Sequence, residues 1–339
     1  MTEVVAPVEE ESPKSGPSSV GEPDQPEQPS GARGDMADAS PLVYGNIGDY
    51  SLMLETVRAE GLSVGFVPTM GALHAGHASL VARAARECDV VAVSIFVNPT
   101  QFGDATDLAS YPRPLDDDLE LVAAFGGQVV LAPSVEEMYP GGPGARATTV
   151  RVARLGDRWE GAARPGHFDG MATVVTKLLA MTGRCRAYFG EKDFQQLAIV
   201  RQLVRDLSLP AEIVGCPTVR DEDGLALSSR NARLSDDQRR QALALSEALR
   251  AGATIWQSAD PTPDAVVAAM DEVLRATTGV TVDYAALVRA GDLEPATAVG
   301  DVSAMRLLVA ADVGGVRLID NLDPADKAIM AEGRIGESR

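Results

Sequence analysis

The stretch Pro68-Thr69-Met70-Gly71-Ala72-Leu73-His74-Ala75-Gly76-His77 joins an apolar, strand-like segment (residues 64–67) to a helical one (residues 78–88). Glycines in a turn from strand to helix let the backbone approach a ligand closely, and the N–H groups at a helix start favour an anion. Two of the chain's three histidines lie in this turn, where their imidazoles add hydrogen-bond donors. The turn therefore predicts a site for the phosphates of a nucleotide.

The chain around this turn alternates between apolar and amphipathic segments. Strands are predicted over residues 63–67, 90–96, 128–132, 187–189 and 211–214. Helices are predicted over residues 50–60, 78–88, 116–125, 173–181 and 195–207. The strands are almost continuously apolar, as in a sheet covered on both faces, and the alternation implies right-handed crossovers. The sequence therefore predicts an α/β fold, a Rossmann-like doubly wound parallel sheet over residues 41–217.

The pattern changes in the last third of the chain. Long amphipathic helices are predicted over residues 236–258 and 263–277, and short strands over residues 281–285, 306–311 and 316–321. We interpret residues 218–339 as a smaller C-terminal α/β domain that acts as a lid.

Composition excludes several classes of function. The 339 residues, 45% of them hydrophobic, suffice for a large core and two domains. The net charge of −19 argues against a nucleic-acid partner. No apolar run approaches the roughly 20 residues that a membrane span requires, and three scattered cysteines fit a reducing cytoplasm. Residues 1–40 are acidic and rich in Pro, Ser and Glu, which predicts a disordered tail.

Residue type alone leaves two interpretations of His74 and His77 open. Such a pair is either structural or part of a metal site, or it binds phosphate. No third His, Cys or acidic residue follows nearby to complete a zinc set. The setting between a strand and a helix favours phosphate.

Two further runs suit a substrate. Asn98 and Gln101 follow the predicted strand over residues 90–96, where amides can bond a ligand without adding charge. Turn chemistry around Asn98 is the alternative. His167, in the run Arg164-Pro165-Gly166-His167-Phe168, suits either substrate contact or a core role.

Two runs suit phosphates. Lys192 can bind a phosphate as a point charge, although charges at a helix start also complement the helix dipole. Gln196 lies one turn further along the same predicted helix. Ser228, Ser229 and Arg230 can hold a polyphosphate, and the same string also suits a surface loop.

Together, these motifs resemble one family. The chain is similar to the pantoate–β-alanine ligases (pantothenate synthetases) of the nucleotidyltransferase superfamily, nearly without gaps from about residue 64 to residue 231. The matching strings are V-P-T-M-G-A-L-H-x-G-H, S-I-F-V-N-P-x-Q-F, R-P-G-H-F, F-G-E-K-D-x-Q-Q-L and P-T-V-R-x-x-D-G-L-A-x-S-S-R-N.

The resemblance implies an ATP-dependent ligation of (R)-pantoate and β-alanine. It implies a pantoyl-adenylate intermediate, with release of pyrophosphate and AMP. Mg²⁺ is expected on the ATP phosphates, with no protein ligand assigned to it. The resemblance further implies a homodimer joined through the N-terminal domain. The expectations of a cytoplasmic location and of no nucleic-acid or membrane partner rest on composition instead.

The resemblance also implies roles for individual residues. The implied catalytic residues are His74, His77, Lys192 and Arg230. The implied ATP site consists of Pro68, Met70, His74, Gly76, His77, Phe189, Gly190, Lys192, Asp193, Val219, Leu227, Ser228, Ser229 and Arg230. The implied contacts to pantoate or β-alanine are Met70, Asn98, Gln101, Tyr111, Arg164, His167 and Gln196. Asp117 and Asp118 match an acidic pair near the family's site.

Two positions depart from the family's pattern. Ala75 replaces the usual glutamate between the histidines, which removes a charge at a helix start and leaves both imidazoles. Leu227 replaces the usual methionine before Ser228, a change that nearly conserves volume.

Two alternative functions are weighed against this one. Cytidylyltransferases of the same superfamily share the H-x-G-H turn but lack residues 189–196 as written, and a tRNA-charging enzyme would need a basic surface. The other alternative is a catalytically silent protein that kept the fold. Retention of His74, His77 and Lys192 argues against it.

Overall fold

The larger sheet is parallel throughout. The computed structural model describes residues 40–103, 105–298 and 304–326, so the predicted tail lies outside the described residues except for Ser40. Six strands lie in the order β1-β4-β3-β2-β5-β6. They are β1 (Leu42–Tyr44), β2 (Val64–Thr69), β3 (Val90–Ile95), β4 (Val129–Leu131), β5 (Cys185–Gly190) and β6 (Ala211–Cys216). All five pairings are parallel, which confirms the predicted sheet.

Helices cover both faces of this sheet. They are α1 (Ile47–Ala59), α2 (Ala75–Glu87), α3 (Ala105–Ser110), α4 (Leu115–Ala124), α5 (Val135–Met138), α6 (Glu160–Ala163), α7 (His167–Thr182) and α8 (Phe194–Asp206). Successive residues of β2 show the two layers, because side chains alternate between faces along a strand. Phe66 belongs to the core that contains residues of α1, α7 and α8, whereas Val67 belongs to the core that contains residues of α2 and α4. The doubly wound prediction is therefore confirmed.

The strand order places a switch point between β2 and β5. From β2 the chain builds outward through β3 to β4, and it then returns to add β5 and β6 on the other side. Crevices at such points, beyond the carboxyl ends of the strands, bind ligands. Here β2 leads into α2, and β5 leads through a short 3₁₀ helix (Glu191–Asp193) into α8. Both connections carry predicted site residues.

The C-terminal part forms a second, antiparallel sheet. Helices α9 (Asp236–Trp256) and α10 (Pro263–Ala276) precede β7 (Val280–Arg289), β8 (Met305–Val313) and β9 (Val316–Leu322), with β8 in the middle. Leu249, Met270 and Leu307 belong to the core between these helices and the sheet. The boundary at residue 218 stays a prediction, since the described residues do not divide into separate units there. Among the helices described, none has both the length and the apolarity to cross a bilayer.

Candidate active site

A cavity of about 490 Å³ opens at the carboxyl ends of β2 and β5. Every residue of the implied ATP site lines it, from Pro68 to Arg230. So do six of the implied substrate residues: Met70, Gln101, Tyr111, Arg164, His167 and Gln196. The cavity therefore brings the imidazole pair and Lys192 to one place, although they follow different strands.

The two histidines cap the start of α2. Nδ1 of His74 accepts a hydrogen bond from the Gly76 N–H at 3.1 Å, and Nδ1 of His77 accepts one from the His74 N–H at 3.3 Å. The arrangement is a capping box in which imidazoles replace the usual hydroxyl and carboxylate. The ring centroids lie 4.2 Å apart. The helix start thus fixes both rings.

These caps assign the tautomer of both rings. A neutral imidazole has one donor and one acceptor nitrogen, so a ring that accepts at Nδ1 carries its proton on Nε2. Burial, and then the charge of Lys192, lowers the pKa of His74. Burial, and then the charge of His74, lowers the pKa of His77 to about 3. Both side chains line the cavity as neutral N–H donors near neutral pH.

The backbone of the turn is not free to bind a phosphate as the sequence predicted. The Ala72 and Leu73 N–H groups donate to the two carboxylate oxygens of Asp118, at 3.0 and 2.7 Å. The His74 and Gly76 N–H groups are used by the imidazole caps. The prediction that backbone donors face the ligand is therefore wrong for these four groups, because protein side chains already bind them.

Asn98 lies behind the cavity and not on its wall. Its side chain is fully buried, and Nδ2 donates to Oε1 of Gln101 at 2.8 Å and to the Gly170 carbonyl at 3.2 Å. Its Oδ1 accepts from the Tyr139 hydroxyl at 2.9 Å. Asn98 therefore supports Gln101, whose NH₂ end is left for a ligand, and the implied substrate contact of Asn98 stays a prediction.

His167 has the opposite tautomer and a supporting position. Its Nδ1 lies 2.9 Å from the carbonyl of Gln101, which only accepts, so Nδ1 carries the proton. Nε2 then accepts from the Arg164 guanidinium at 3.3 Å. Burial, and then the charge of Arg164, lowers the pKa of His167 to about 4. The ring is a neutral link that orients Arg164 along the cavity.

Lys192 lies in the short 3₁₀ helix after β5, which the C-terminal sheet holds in place. Nδ2 of Asn321, on β9, donates to the carbonyls of Glu191 and Lys192 at 2.9 and 2.7 Å. Arg306, on β8, donates to Oδ1 of Asn321 at 2.7 Å and pairs with Glu191 at 3.1 Å. The sequence predicted only short strands over residues 306–311 and 316–321 here, and nothing local marked the side chains of Arg306 and Asn321.

The Ser228–Arg230 segment begins a short 3₁₀ helix (Ser229–Arg233). Oγ of Ser228 accepts from the Arg230 N–H at 3.3 Å, and the Asn231 side chain donates to the Ala226 carbonyl at 3.0 Å. Arg233 donates to Oγ of Ser110, at 3.3 Å, from the other side of the cavity. Tyr111, next to Ser110, packs edge-on against Phe102. The serines and Arg230 therefore lie on a loop that spans the cavity.

Glu160 ties the segment before Arg164 to the C-terminal sheet. Its buried carboxylate binds the Arg317 guanidinium through both oxygens, at 2.5 and 2.7 Å, and accepts from the Tyr284 hydroxyl at 2.8 Å. Burial would raise the pKa of Glu160, but Arg317 holds it below its usual range. These residues also line a smaller cavity of about 280 Å³, which shares Arg164 with the larger one. The sequence analysis missed this cluster.

The donor set fits a metal carried by phosphates better than one held by protein. Within the described ranges, no three His, Cys, Asp or Glu side chains group as a metal site. Asp193, on the cavity wall, lies 3.3 Å from Nζ of Lys192. A single carboxylate with substrate phosphates is a common setting for Mg²⁺.

The fold and the cavity together define a Rossmann-like nucleotide-binding protein. Its switch point carries imidazole donors on one side and a lysine on the other.

Comparison with known proteins shows which family of nucleotide-binding proteins the chain resembles. Residues 43–323 match the family model described as pantoate-beta-alanine ligase. A pantothenate synthetase of Nocardia farcinica is 51% identical over 282 residues, which cover 83% of this chain and 84% of the relative. The crystal structure of pantoate-beta-alanine (pantothenate synthetase) from Thermus thermophilus is 45% identical, with a TM-score of 0.78 over 84% of this chain and 100% of that one.

A third relative was crystallised with ligands. It is the pantoate-beta-alanine ligase from Francisella tularensis, complexed with beta-gamma ATP and beta-alanine. It is 34% identical, with a TM-score of 0.68, and the match covers 84% of this chain and 98% of that one. The chain belongs to the pantoate–β-alanine ligase family, whose reaction joins pantoate to β-alanine.

Proposed function

We propose that the larger cavity binds ATP and pantoate side by side and activates pantoate as an acyl adenylate, which β-alanine then attacks. The observation that carries the proposal is that one cavity is lined by two imidazole donors, Lys192 and two glutamine amides, Gln101 and Gln196. The Francisella relative was crystallised with an ATP ligand and β-alanine, which supports the same ligands here.

The first step needs charge stabilisation and alignment. A pantoate carboxylate oxygen attacks the α-phosphorus of ATP, and the bond from that phosphorus to the bridging oxygen breaks, so pyrophosphate leaves with the electron pair. Negative charge spreads over the phosphate oxygens in the transition state. Nε2–H of His74 and of His77, with Lys192, supply preorganised donors for that charge. Ser228, Ser229 and Arg230 hold the pyrophosphate end.

The pantoate end relies on amides that carry no charge. Asn98 binds the amide oxygen of Gln101, so the NH₂ group of Gln101 faces the cavity and donates to a pantoate oxygen. Gln196 lines the same wall from α8 and provides a second amide. Met70 and Tyr111 add apolar surface beside them. Alignment by these groups replaces a protein nucleophile, which this reaction does not need.

The second step uses the cation on the substrate side. The amine of β-alanine attacks the acyl carbon, the bond to the AMP oxygen breaks, and the nitrogen loses a proton to solvent. Arg164 lines the larger cavity and contacts His167 and the Gln101 carbonyl, so we assign it to a substrate carboxylate. Bound Mg²⁺ would neutralise phosphate charge, with Asp193 as the carboxylate beside it.

The proposal includes a cytoplasmic homodimer. Its support is an apolar surface on the first strand and helix, where Leu42, Val43 and Leu52 are 57%, 48% and 62% exposed. All three cysteines are free and buried, which fits a reducing compartment. Light scattering on purified protein would give twice the chain mass for a dimer.

Exchange of labelled pyrophosphate into ATP tests the first step alone. We expect exchange that depends on pantoate, needs no β-alanine and fails with CTP. His74→Ala and Lys192→Ala should each lower its rate by about two to three orders of magnitude, as expected for loss of one electrostatic stabiliser. Pantoate-independent exchange, or wild-type rates in both variants, would refute the assigned roles.

A further inference from the structure

Asp118 binds the turn that carries both histidines. Asp118 lies in the first turn of α4 and is only 2% exposed. Its two carboxylate oxygens accept from the successive N–H groups of Ala72 and Leu73, at 3.0 and 2.7 Å. One buried side chain therefore satisfies two neighbouring donors of a loop from another part of the chain.

The turn has the backbone shape of an anion-binding loop. Gly71 and Ala72 have successive positive φ values, +81° and +52°. The N–H groups of Ala72 and Leu73 both donate to one anion, the Asp118 carboxylate, as successive N–H groups do in phosphate-binding loops. A Cβ at Gly71 would meet Oδ2 of Asp118 at 2.9 Å, so the carboxylate lies directly against this loop. For Ala72, the conformation is unfavourable and needs support from outside the turn.

We propose that Asp118 is a positioning residue for the reaction: its carboxylate occupies the anion-binding loop and thereby fixes His74 and His77 as Nε2–H donors. The link is local, since the loop ends at His74, whose N–H and Nδ1 form the two caps of α2. The substrate phosphates then meet the imidazoles, because the loop is filled from within. The inference deepens the proposed function, on which it rests.

The test compares Asp118→Asn with Asp116→Asn, an exposed carboxylate in the same first turn with the same loss of charge. Three histidines make the imidazole nitrogens easy to resolve by long-range ¹H–¹⁵N NMR of the full chain. We expect two Nε2–H rings and one Nδ1–H ring in the wild type. In Asp118→Asn, the amide NH₂ group cannot accept the backbone N–H bond that a carboxylate oxygen accepts, so the turn should loosen. His74 and His77 should then become mixtures of the two tautomers, while the tautomer of His167 stays unchanged.

Kinetics provide the second measurement. Pantoate-dependent pyrophosphate exchange should fall roughly ten- to a hundredfold in Asp118→Asn, the scale of a misplaced catalytic group, with KM for pantoate unchanged. Asp116→Asn should match the wild type in both measurements. Unchanged tautomers in Asp118→Asn, or altered tautomers with wild-type exchange, would overturn the proposal.

Amide hydrogen exchange in the wild type tests the binding of the turn by Asp118 even if the Asp118→Asn variant does not fold. The Ala72 and Leu73 amides should exchange slowly in the ligand-free protein, and rapid exchange would overturn the proposal. A wild type with the expected tautomers but no pyrophosphate exchange would instead contradict the proposed function, so the two failures are distinguishable.

Discussion

Nδ2 of Asn98 donates to Oε1 of Gln101 across 2.8 Å, and this bond decides which end of the Gln101 amide faces the cavity. Gln101 is 7% exposed, so its side chain reaches the cavity from a buried position. Asn98 in turn accepts from the Tyr139 hydroxyl. A buried hydrogen-bond network of this kind holds a polar group in one orientation.

Asn98→Ala should impair both stability and pantoate binding. The substitution leaves buried groups of Gln101 and Tyr139 without a partner, which costs about 1–3 kcal/mol of unfolding free energy. The Gln101 amide can then rotate, so KM for pantoate should rise. Urea unfolding and pyrophosphate exchange measure the two effects. In a double-mutant cycle with Gln101→Ala, the KM effects should be strongly non-additive; simple additivity would contradict the link.

His74→Asn and His74→Ala should separate the two roles of His74. Asparagine is a good N-cap and keeps an acceptor for the start of α2, but it lacks the Nε2–H donor. Both variants should lose about two to three orders of magnitude in the exchange rate. Only His74→Ala should also lose about 1 kcal/mol of stability. Equal stability of the two variants would show that the cap is unimportant.

Stability should fall as the pH drops from neutral. Burial lowers the folded-state pKa of His77 to about 3 and of His167 to about 4. Between those values and about 6.5, the unfolded chain binds protons that the folded chain does not. Each histidine should therefore remove about 1.4 kcal/mol of unfolding free energy per pH unit below about pH 6.

His167→Gln supplies the control for this slope. Chemical denaturation between about pH 6.5 and pH 5 keeps most carboxylates ionised. The variant should show a slope smaller by about 1.4 kcal/mol per pH unit. An unchanged slope would mean that His167 is charged in the folded protein.

Arg317→Ala should destabilise the protein strongly. Its partner Glu160 has a side chain only 9% exposed, so the substitution leaves a buried carboxylate without its counter-charge, at a cost of about 3 kcal/mol. Arg240→Ala is the matched control, because it breaks an ion pair at the surface. The side chain of Arg240 is 68% exposed and that of its partner Asp237 is 80% exposed. Arg240→Ala should cost less than about 0.5 kcal/mol. Equal effects in thermal or urea unfolding would contradict a buried pair.

The sequence predicted the sheet well because its strands are buried on both faces. Residues 90–96, for example, form an apolar run that only the buried Ser94 interrupts, and β3 (Val90–Ile95) fills most of it. It missed β1 (Leu42–Tyr44), α5 (Val135–Met138) and α6 (Glu160–Ala163), since three or four residues carry no readable period. These short elements depend on neighbours that are distant in the chain.

The sequence predicted the residues that line the cavity better than the residues that hold those side chains in place. Motif residues such as His74 and Lys192 lie just after the carboxyl ends of predicted strands, where doubly wound sheets bind their ligands. Asn321 and Glu160 act through contacts to distant segments, and no local pattern distinguishes them from surface residues. The resemblance marked Asp118 only as one of an acidic pair and did not indicate its contact to the histidine turn. Asn98 shows the remaining limit, because its residue type suits a ligand and a neighbouring amide equally.

We propose that pantoate is activated as an adenylate in the cavity between β2 and β5. The most direct test of this proposal is transfer of oxygen-18 from the pantoate carboxylate. With labelled pantoate, β-alanine and ATP, we expect one labelled oxygen in the AMP that is released, with none in pyrophosphate. Unlabelled AMP, or label in pyrophosphate or free phosphate, would contradict it.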